Sequence, residues 1–279
     1  MKFYFGLLIS ILFLISCDKD KDDGVNISKM ATDTLLRSYQ DDFEERLKPF
    51  WRKELANSKR ASISKSLTDS TNEVLRIELK TQDRASGGYR SEIKVYPQDS
   101  IGYITNYGFK FMLPESFFVR EQDSGRYIIH QWHDLPPPGF TWKTNKNRTW
   151  PPVYLYIEHT PEGEFNLKFG AGLKTGSLDE LISVNYAHQL IANKWYNFSC
   201  EILWSLYSNE GYVLPHINNE KLYKVDQGKI YNRNMYNSLP NYFKFGLYRS
   251  GSQKHDREIF FDDFYLNSHR HIFSEIRSN

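Results

Sequence analysis

Seven consecutive residues, Tyr242-Phe243-Lys244-Phe245-Gly246-Leu247-Tyr248, restrict what this chain can fold into more than any other stretch. On a β-strand, side chains alternate between two faces. One face here carries Tyr242, Lys244 and Tyr248, with Gly246 as a gap. The other carries Phe243, Phe245 and Leu247, a set that must be buried. An ordinary surface strand shows Thr, Ser or Glu to water. A row of phenols and an ammonium suits the floor of a cleft instead, so the stretch reads as a strand with a core below and a ligand above.

The same period of two recurs along the chain. Leu75, Ile77 and Leu79 alternate with Arg76, Glu78 and Lys80. Ser91, Ile93 and Val95 alternate with Arg90, Glu92 and Lys94 over Tyr89–Tyr96. Strands are also expected at Tyr103–Met112, Tyr127–His133, Val153–His159, Glu164–Phe169, Trp195–Trp204 and Glu258–Leu266. Aromatic residues make up 16% of the 279-residue chain, and they favour strands. Leu178–Ile191 is ambiguous and admits a short helix. Many strands with few helices point to an all-β jelly-roll sandwich of two antiparallel sheets with a concave cleft, over residues 71–279.

The N-terminus reads differently. Lys2 precedes an apolar run from Phe3 to Ile15, too short to span a bilayer comfortably and matched to a signal peptide. Leu14-Ile15-Ser16-Cys17 resembles the bacterial lipoprotein box, which implies cleavage after residue 16 and acylation of Cys17. A lipid anchor in the bacterial outer membrane is the expected location. Residues 17–31, with the run DKDKDD, are expected as a disordered tether. Leu35, Leu36, Tyr39, Phe43, Leu47 and Trp51 recur at helical spacing, which predicts a helix over Thr32–Leu55, interrupted at Pro49. A linker over Ser58–Ser70 is expected to follow. Once Cys17 is acylated, Cys200 is the one remaining thiol, so no intrachain disulfide is expected.

The formal charge is +2, and removing the first sixteen residues takes away Lys2 and no acid, leaving +1. No global field favours nucleic acid. Local clusters are another matter. The long loop from Asp134 to Pro152 is stiffened by prolines at both ends. Between them it holds Trp142, Lys143, Lys146, Arg148 and Trp150. Indole faces suit sugar rings and cations suit their acid groups, so Trp142, Lys143, Arg148 and Trp150 are candidate contacts to an anionic polysaccharide. Two Trp packed against a sheet edge are the competing role.

Gln131 and His133 share a strand face that leads into this loop, opposite His130 and Trp132. Alternation therefore excludes His130 and His133 as a metal pair. Arg90, Gln131, His133 and a Tyr, brought over one sheet, suit β-elimination from a uronic acid. Arg and Gln would neutralise the carboxylate and stabilise the enolate-like charge. A neutral His would take the α-proton, and a Tyr would protonate the leaving oxygen, or also act as the base where proton and leaving group lie on the same side. That scheme requires no cofactor. Spacing alone does not choose between Tyr242 and Tyr248.

Arg90-Ser91-Glu92-Ile93, Gln131-Trp132-His133 and Tyr242 to Tyr248 resemble the three motifs of jelly-roll polysaccharide lyases, the alginate lyases of family seven and the heparin lyase I and glucuronan lyase types. Alginate lyases read RSEL, QIH and YFKAGxY. Ile93, Trp132 and Phe245 depart from that pattern, all on inward faces. The resemblance implies His133 as base, Tyr248 as acid, Gln131 and Arg90 as carboxylate neutralisers, and Lys244 in the cleft. Tyr242, Glu92 and Lys94 join them as candidate substrate contacts, with Glu92 either orienting Arg90 or serving as a cross-strand ion partner. Asp262 or Asp263 is a candidate ligand for a structural Ca²⁺, with strand-end capping as the competing role. A monomer is expected. A non-catalytic glycan-binding lipoprotein on the same sandwich is the alternative. A glycoside hydrolase ranks lower because no Glu-x-Asp-x-x-Glu strand is present, and a serine hydrolase because Gly-x-Ser-x-Gly is absent.

Overall fold

The computed structural model describes residues 37–120, 124–142, 144, 149–249, 251 and 255–270. These form two antiparallel sheets. One sheet contains β1 (Arg37–Asp41), β3 (Ala61–Lys65), β4 (Glu73–Leu79), β6 (Tyr103–Met112), β11 (Trp195–Leu203), β12 (Tyr212–Ile217), β13 (Glu220–Lys221), β14 (Ile230–Tyr231) and β16 (Arg257–Arg270). The other runs β10 (Ile182–Asn185), β9 (Phe165–Ala171), β8 (Val153–His159), β7 (Gly125–His133), β15 (Asn241–Arg249), β5 (Tyr89–Asp99) and β2 (Arg52–Leu55). Neighbours in space are often far apart in sequence, as jelly-roll topology requires. The second sheet carries the cleft.

Phe243, Phe245 and Leu247 are fully buried between the sheets, as alternation predicts. Phe245 stacks on Phe261 of the opposite sheet at 4.3 Å between centroids, and Phe243 sits 5.6 Å from Tyr107. Each such ring removes enough apolar surface from water to contribute about 2–3 kcal/mol. Cys200 is a buried core residue, and burial raises its thiol pKa.

The expected N-terminal helix is not there. Within residues 37–55 the chain forms two strands, β1 paired with β16 and β2 paired with β5. The expected linker contains β3, paired with β4. Residues 37–65 are thus woven into both sheets of the sandwich. The reason is tertiary. The buried Asp41 carboxylate accepts the backbone N–H groups of Phe43 and Lys48 and the Trp51 indole N–H. Those bonds close residues 41–51 into a loop, with Phe43 at a left-handed φ of 59°. Phe43 and Trp51 then enter the core against Phe245. Apolar spacing that mimics a helix here marks residues dropping from a loop between two sheets. In the ambiguous 178–191 stretch the chain forms β10. The signal segment, the tether and Cys17 lie outside the described residues.

Candidate active site

Register brings the three motifs together. In β15, Tyr248 faces Arg90 of β5 on one side and Ile128 of β7 on the other. Lys244 likewise lies between Lys94 and Gln131, and Tyr242 pairs with His133. Their outward side chains share the face opposite the core. Arg90, Gln131, His133 and Tyr248 line one cleft of about 290 Å³, together with Arg126 and Trp150.

His133 ends β7, and the chain turns there. Its Nδ1 lies 2.9 Å from Asp134 Oδ1, a carboxylate almost wholly buried and also accepting Thr149 Oγ1 at 3.0 Å. An N–H on Nδ1 donated to that carboxylate leaves Nε2 with its lone pair, the form a general base requires. Trp142 meets the imidazole edge-on at 4.9 Å, and Tyr242 stacks on it at 5.8 Å.

Beneath the cleft floor lies a network of buried charge. Arg90 Nη1 donates to Glu54 Oε1 at 3.3 Å and to Glu92 Oε2 at 3.2 Å. Gln131 Nε2 donates to Glu92 Oε1. Lys244 Nζ lies 2.7 Å from Glu54 Oε2 and 3.6 Å from Glu92 Oε2. Lys94 Nζ reaches Glu54 Oε2 at 3.5 Å and the Tyr96 hydroxyl at 3.3 Å. Burial works to raise the Glu54 pKa, but Lys244, Arg90 and Lys94 outweigh it and hold the carboxyl far below its usual range. Burial likewise opposes the Arg90 charge, while Glu92 and Glu54 reverse the balance and raise its pKa. Arg90 also lies over the Tyr248 ring, 4.1 Å from its centroid.

This arrangement revises several expected substrate contacts. Lys244 and Glu92 are 2% and 1% exposed. Neither lines the cleft, whereas the equally buried Gln131 does, and they act by holding Arg90 and Gln131. The two roles weighed for Glu92 merge, since it binds both of those side chains. Tyr242 is buried too, stacked on Tyr96 at 4.8 Å, and burial raises its pKa well above the usual phenol value. It walls the imidazole. Lys94 is committed to Glu54. Trp142 and Trp150 remain accessible. Lys143 and Arg148 lie outside the described residues. Gly246 leaves room for β5 rather than for a sugar: its φ is 143°, and a Cβ would sit 2.2 Å from the Ser91 carbonyl oxygen. His130 faces the core, bonded to the Tyr107 hydroxyl and the Lys244 carbonyl, as alternation predicts. Asp262 accepts from Asn72, and Asp263 pairs with Lys110. Among the described residues no three His, Cys, Asp or Glu side chains gather as a metal site.

Sequence reasoning missed Glu54, Asp134 and Arg126. Glu54 lay inside the stretch read as helix. Asp134 immediately follows His133, where strand alternation would send it away, but β7 stops at His133. Arg126 is displaced by a bulge in β7 between Ile128 and His130.

An imidazole, a phenol, a guanidinium and an amide thus meet in the cleft of a jelly-roll sandwich. The polysaccharide lyase family model matches residues 43–265, and the chain belongs to that family. It is a lyase that degrades polysaccharide. Among solved structures it is similar to an endo-β-1,4-glucuronan lyase from the fungus Trichoderma reesei, at 16% identity and a TM-score of 0.54, over 79% of this chain and 95% of that one. A family 7 alginate lyase bound to a GGMG substrate matches at 12% identity and a TM-score of 0.50, over 82% and 95%. LamAcat from Zobellia galactanivorans matches at 11% and 0.50, over 83% and 96%. At these identities the likeness shows the fold. No curated protein matches in sequence.

Proposed function

We propose that this lyase cleaves a uronic-acid-containing anionic polysaccharide by β-elimination, with His133 as base and Tyr248 as acid. The observation that carries the reading is the imidazole whose Nδ1 is occupied by Asp134, in one cleft with Tyr248, Arg90 and Gln131. His133 Nε2 takes the proton α to the carboxylate. The electron pair moves into the ring as the bond to the glycosidic oxygen breaks, and Tyr248 protonates that oxygen. One amide N–H of Gln131 is spent on Glu92; its second, with the Arg90 guanidinium, meets the substrate carboxylate as charge develops there. Donors preorganised in this way are worth roughly a hundred- to a thousandfold each in rate. Tyr242 holds the imidazole plane by stacking. The scheme draws on no cofactor, and Asp262 and Asp263 lie where the register of β16 against β6 shifts.

The reading extends to location. Acylation of Cys17 would tether the enzyme to the outer membrane as a monomer, with the polymer as partner and no role for nucleic acid. Labelling with a radioactive fatty acid should mark the wild type and leave Cys17→Ser unlabelled.

The activity is tested on a panel of uronate polymers by the ultraviolet absorbance of the unsaturated product. The wild type should yield that absorbance on at least one polymer, and His133→Ala and Tyr248→Phe should each nearly abolish it. Undiminished turnover in either variant would remove that residue from the chemistry.

A further inference from the structure

The cleft holds a second guanidinium that the elimination does not use. Strict alternation back from His133 would send Arg126 inward with Trp132 and His130. The bulge between Ile128 and His130 prevents this. Ile129 and His130 both point to the core, Ile128 joins an outer cluster with Tyr154 and Tyr156, and Arg126 emerges in the cleft. The bulge is what places a cation there.

Arg126 differs from Arg90 in having no counter-ion among the described residues. Arg90 is held by two carboxylates. Among the described residues no carboxylate lies within ion-pair distance of Arg126. Its cross-strand partner Glu158 is paired with Lys168 instead. What Arg126 has is aromatic: its Cζ lies 4.6 Å from the Tyr156 ring centroid and 5.3 Å from that of Trp150. Its Nε is buried with no hydrogen-bond partner. A guanidinium packed on rings keeps its N–H edge for a planar anion.

The rings that the two arginines cover bear on what that anion is. Arg90 lies over Tyr248 on β15, and Arg126 over Tyr156 on β8. Both tyrosines pair with Ile128 of β7, so they stand in one row two strand spacings apart, about 10 Å. The two rings thus flank β7 on opposite sides, which lets each cation meet an acid group of its own.

We infer that Arg126 forms a second anion subsite, which binds the carboxylate or sulfate of a sugar neighbouring the one that undergoes elimination. The inference rests on the lyase reading. It makes the enzyme selective for polymers with acid groups on successive sugars, and it places specificity on β7 and the Trp150 end of the loop.

The test is steady-state kinetics of Arg126→Ala and Arg126→Lys on every uronan the wild type cleaves, with thermal melting as a check on folding. Losing a charge-assisted contact should raise KM about ten- to a hundredfold for Arg126→Ala while kcat stays within about twofold. Arg126→Lys, which keeps the charge, should recover part of the loss. A KM defect on a sulfated uronan that vanishes after desulfation assigns the subsite to sulfate; one that persists assigns it to carboxylate. Wild-type KM in Arg126→Ala, or a kcat loss with KM unchanged, overturns the subsite alone. If the wild type forms no unsaturated product on any uronan, the lyase reading falls and the subsite with it.

Discussion

The Lys244 ammonium lies 2.7 Å from Glu54 Oε2, with the two side chains only 2% and 6% exposed. Glu54 comes from β2, at the edge of the sheet, and Lys244 from β15, two strands in. Glu54 also holds Arg90, so the carboxylate that neutralises a buried lysine sets the guanidinium proposed to meet substrate. Removing one partner of a buried pair leaves the other charge uncompensated, at a cost of about 3–5 kcal/mol. Glu54→Ala should therefore lower the urea unfolding free energy by about that amount. Glu54→Gln with Lys244→Met should regain most of it, because Arg90 keeps Glu92 and the one cation left without a carboxylate, Lys94, is the most exposed of the group at 18%. Activity should not return with stability, since a misplaced Arg90 can cost on the order of a hundredfold in kcat. Full activity in the stable double variant would show that Glu54 serves the fold alone.

Asp134 fixes which nitrogen of His133 is free. With Asp134→Asn the amide can present N–H to Nδ1, and the proton then moves to Nε2, where the base is needed. A positioned base contributes about a hundred- to ten-thousandfold. We expect kcat to fall on the order of a hundredfold or more, with KM and the melting temperature nearly unchanged. Turnover within twofold of wild type would mean that Asp134 is only a partner for Thr149.

The outward residues of the three motifs were legible because one face of each strand is buried. Burying Phe243, Phe245 and Leu247 leaves Tyr242, Lys244 and Tyr248 no other side, and Trp132 settles Gln131 and His133 in the same way. The depth of the charges was not legible. Alternation tells which way Lys244 points, but not that Glu54 of β2 closes over it, because that neighbour comes from 190 residues away. The N-terminal misreading has a similar cause. Phe43 and Trp51 satisfy helical spacing and also satisfy a loop whose rings enter the core, and only the partners of Asp41 distinguish the two. Arg126 was hidden by a bulge, which shifts parity without a glycine or proline to announce it.

Gly246 tests how tightly β5 and β15 are joined. Its φ of 143° disfavours any side chain, and an added Cβ would meet Ser91 O at 2.2 Å and Glu92 Cα at 2.8 Å. Both obstacles are backbone and cannot rotate away. Gly246→Ala should cost about 1–3 kcal/mol. It should also lower kcat, because the backbone it displaces carries Glu92, which holds Gln131 and Arg90. A variant as stable and active as wild type would show that the strands separate without consequence.

His130 gives the fold a pH dependence distinct from that of the chemistry. It is fully buried, and burial lowers its pKa from 6.5 to about 3, partly offset by its hydrogen bond to the Lys244 carbonyl. The sign follows from proton counting. Between those two values the unfolded chain binds a proton at this site that the folded chain refuses. Stability is therefore full above pH 6.5 and falls as the pH drops, by about 1.4 kcal/mol per unit from this group. Carboxylates with lowered pKa, such as Glu180, lose their contribution only below their unfolded value of 4.5. The range from about pH 7 to about pH 5 thus isolates the histidines. Urea unfolding at steps across that range should show a decline for wild type and a flatter profile for His130→Gln, whose side chain cannot charge. His130→Gln will start lower, since it disturbs the contact with Tyr107, so the comparison is of slopes rather than of heights. Parallel profiles would mean that the buried imidazole accepts its proton without unfolding.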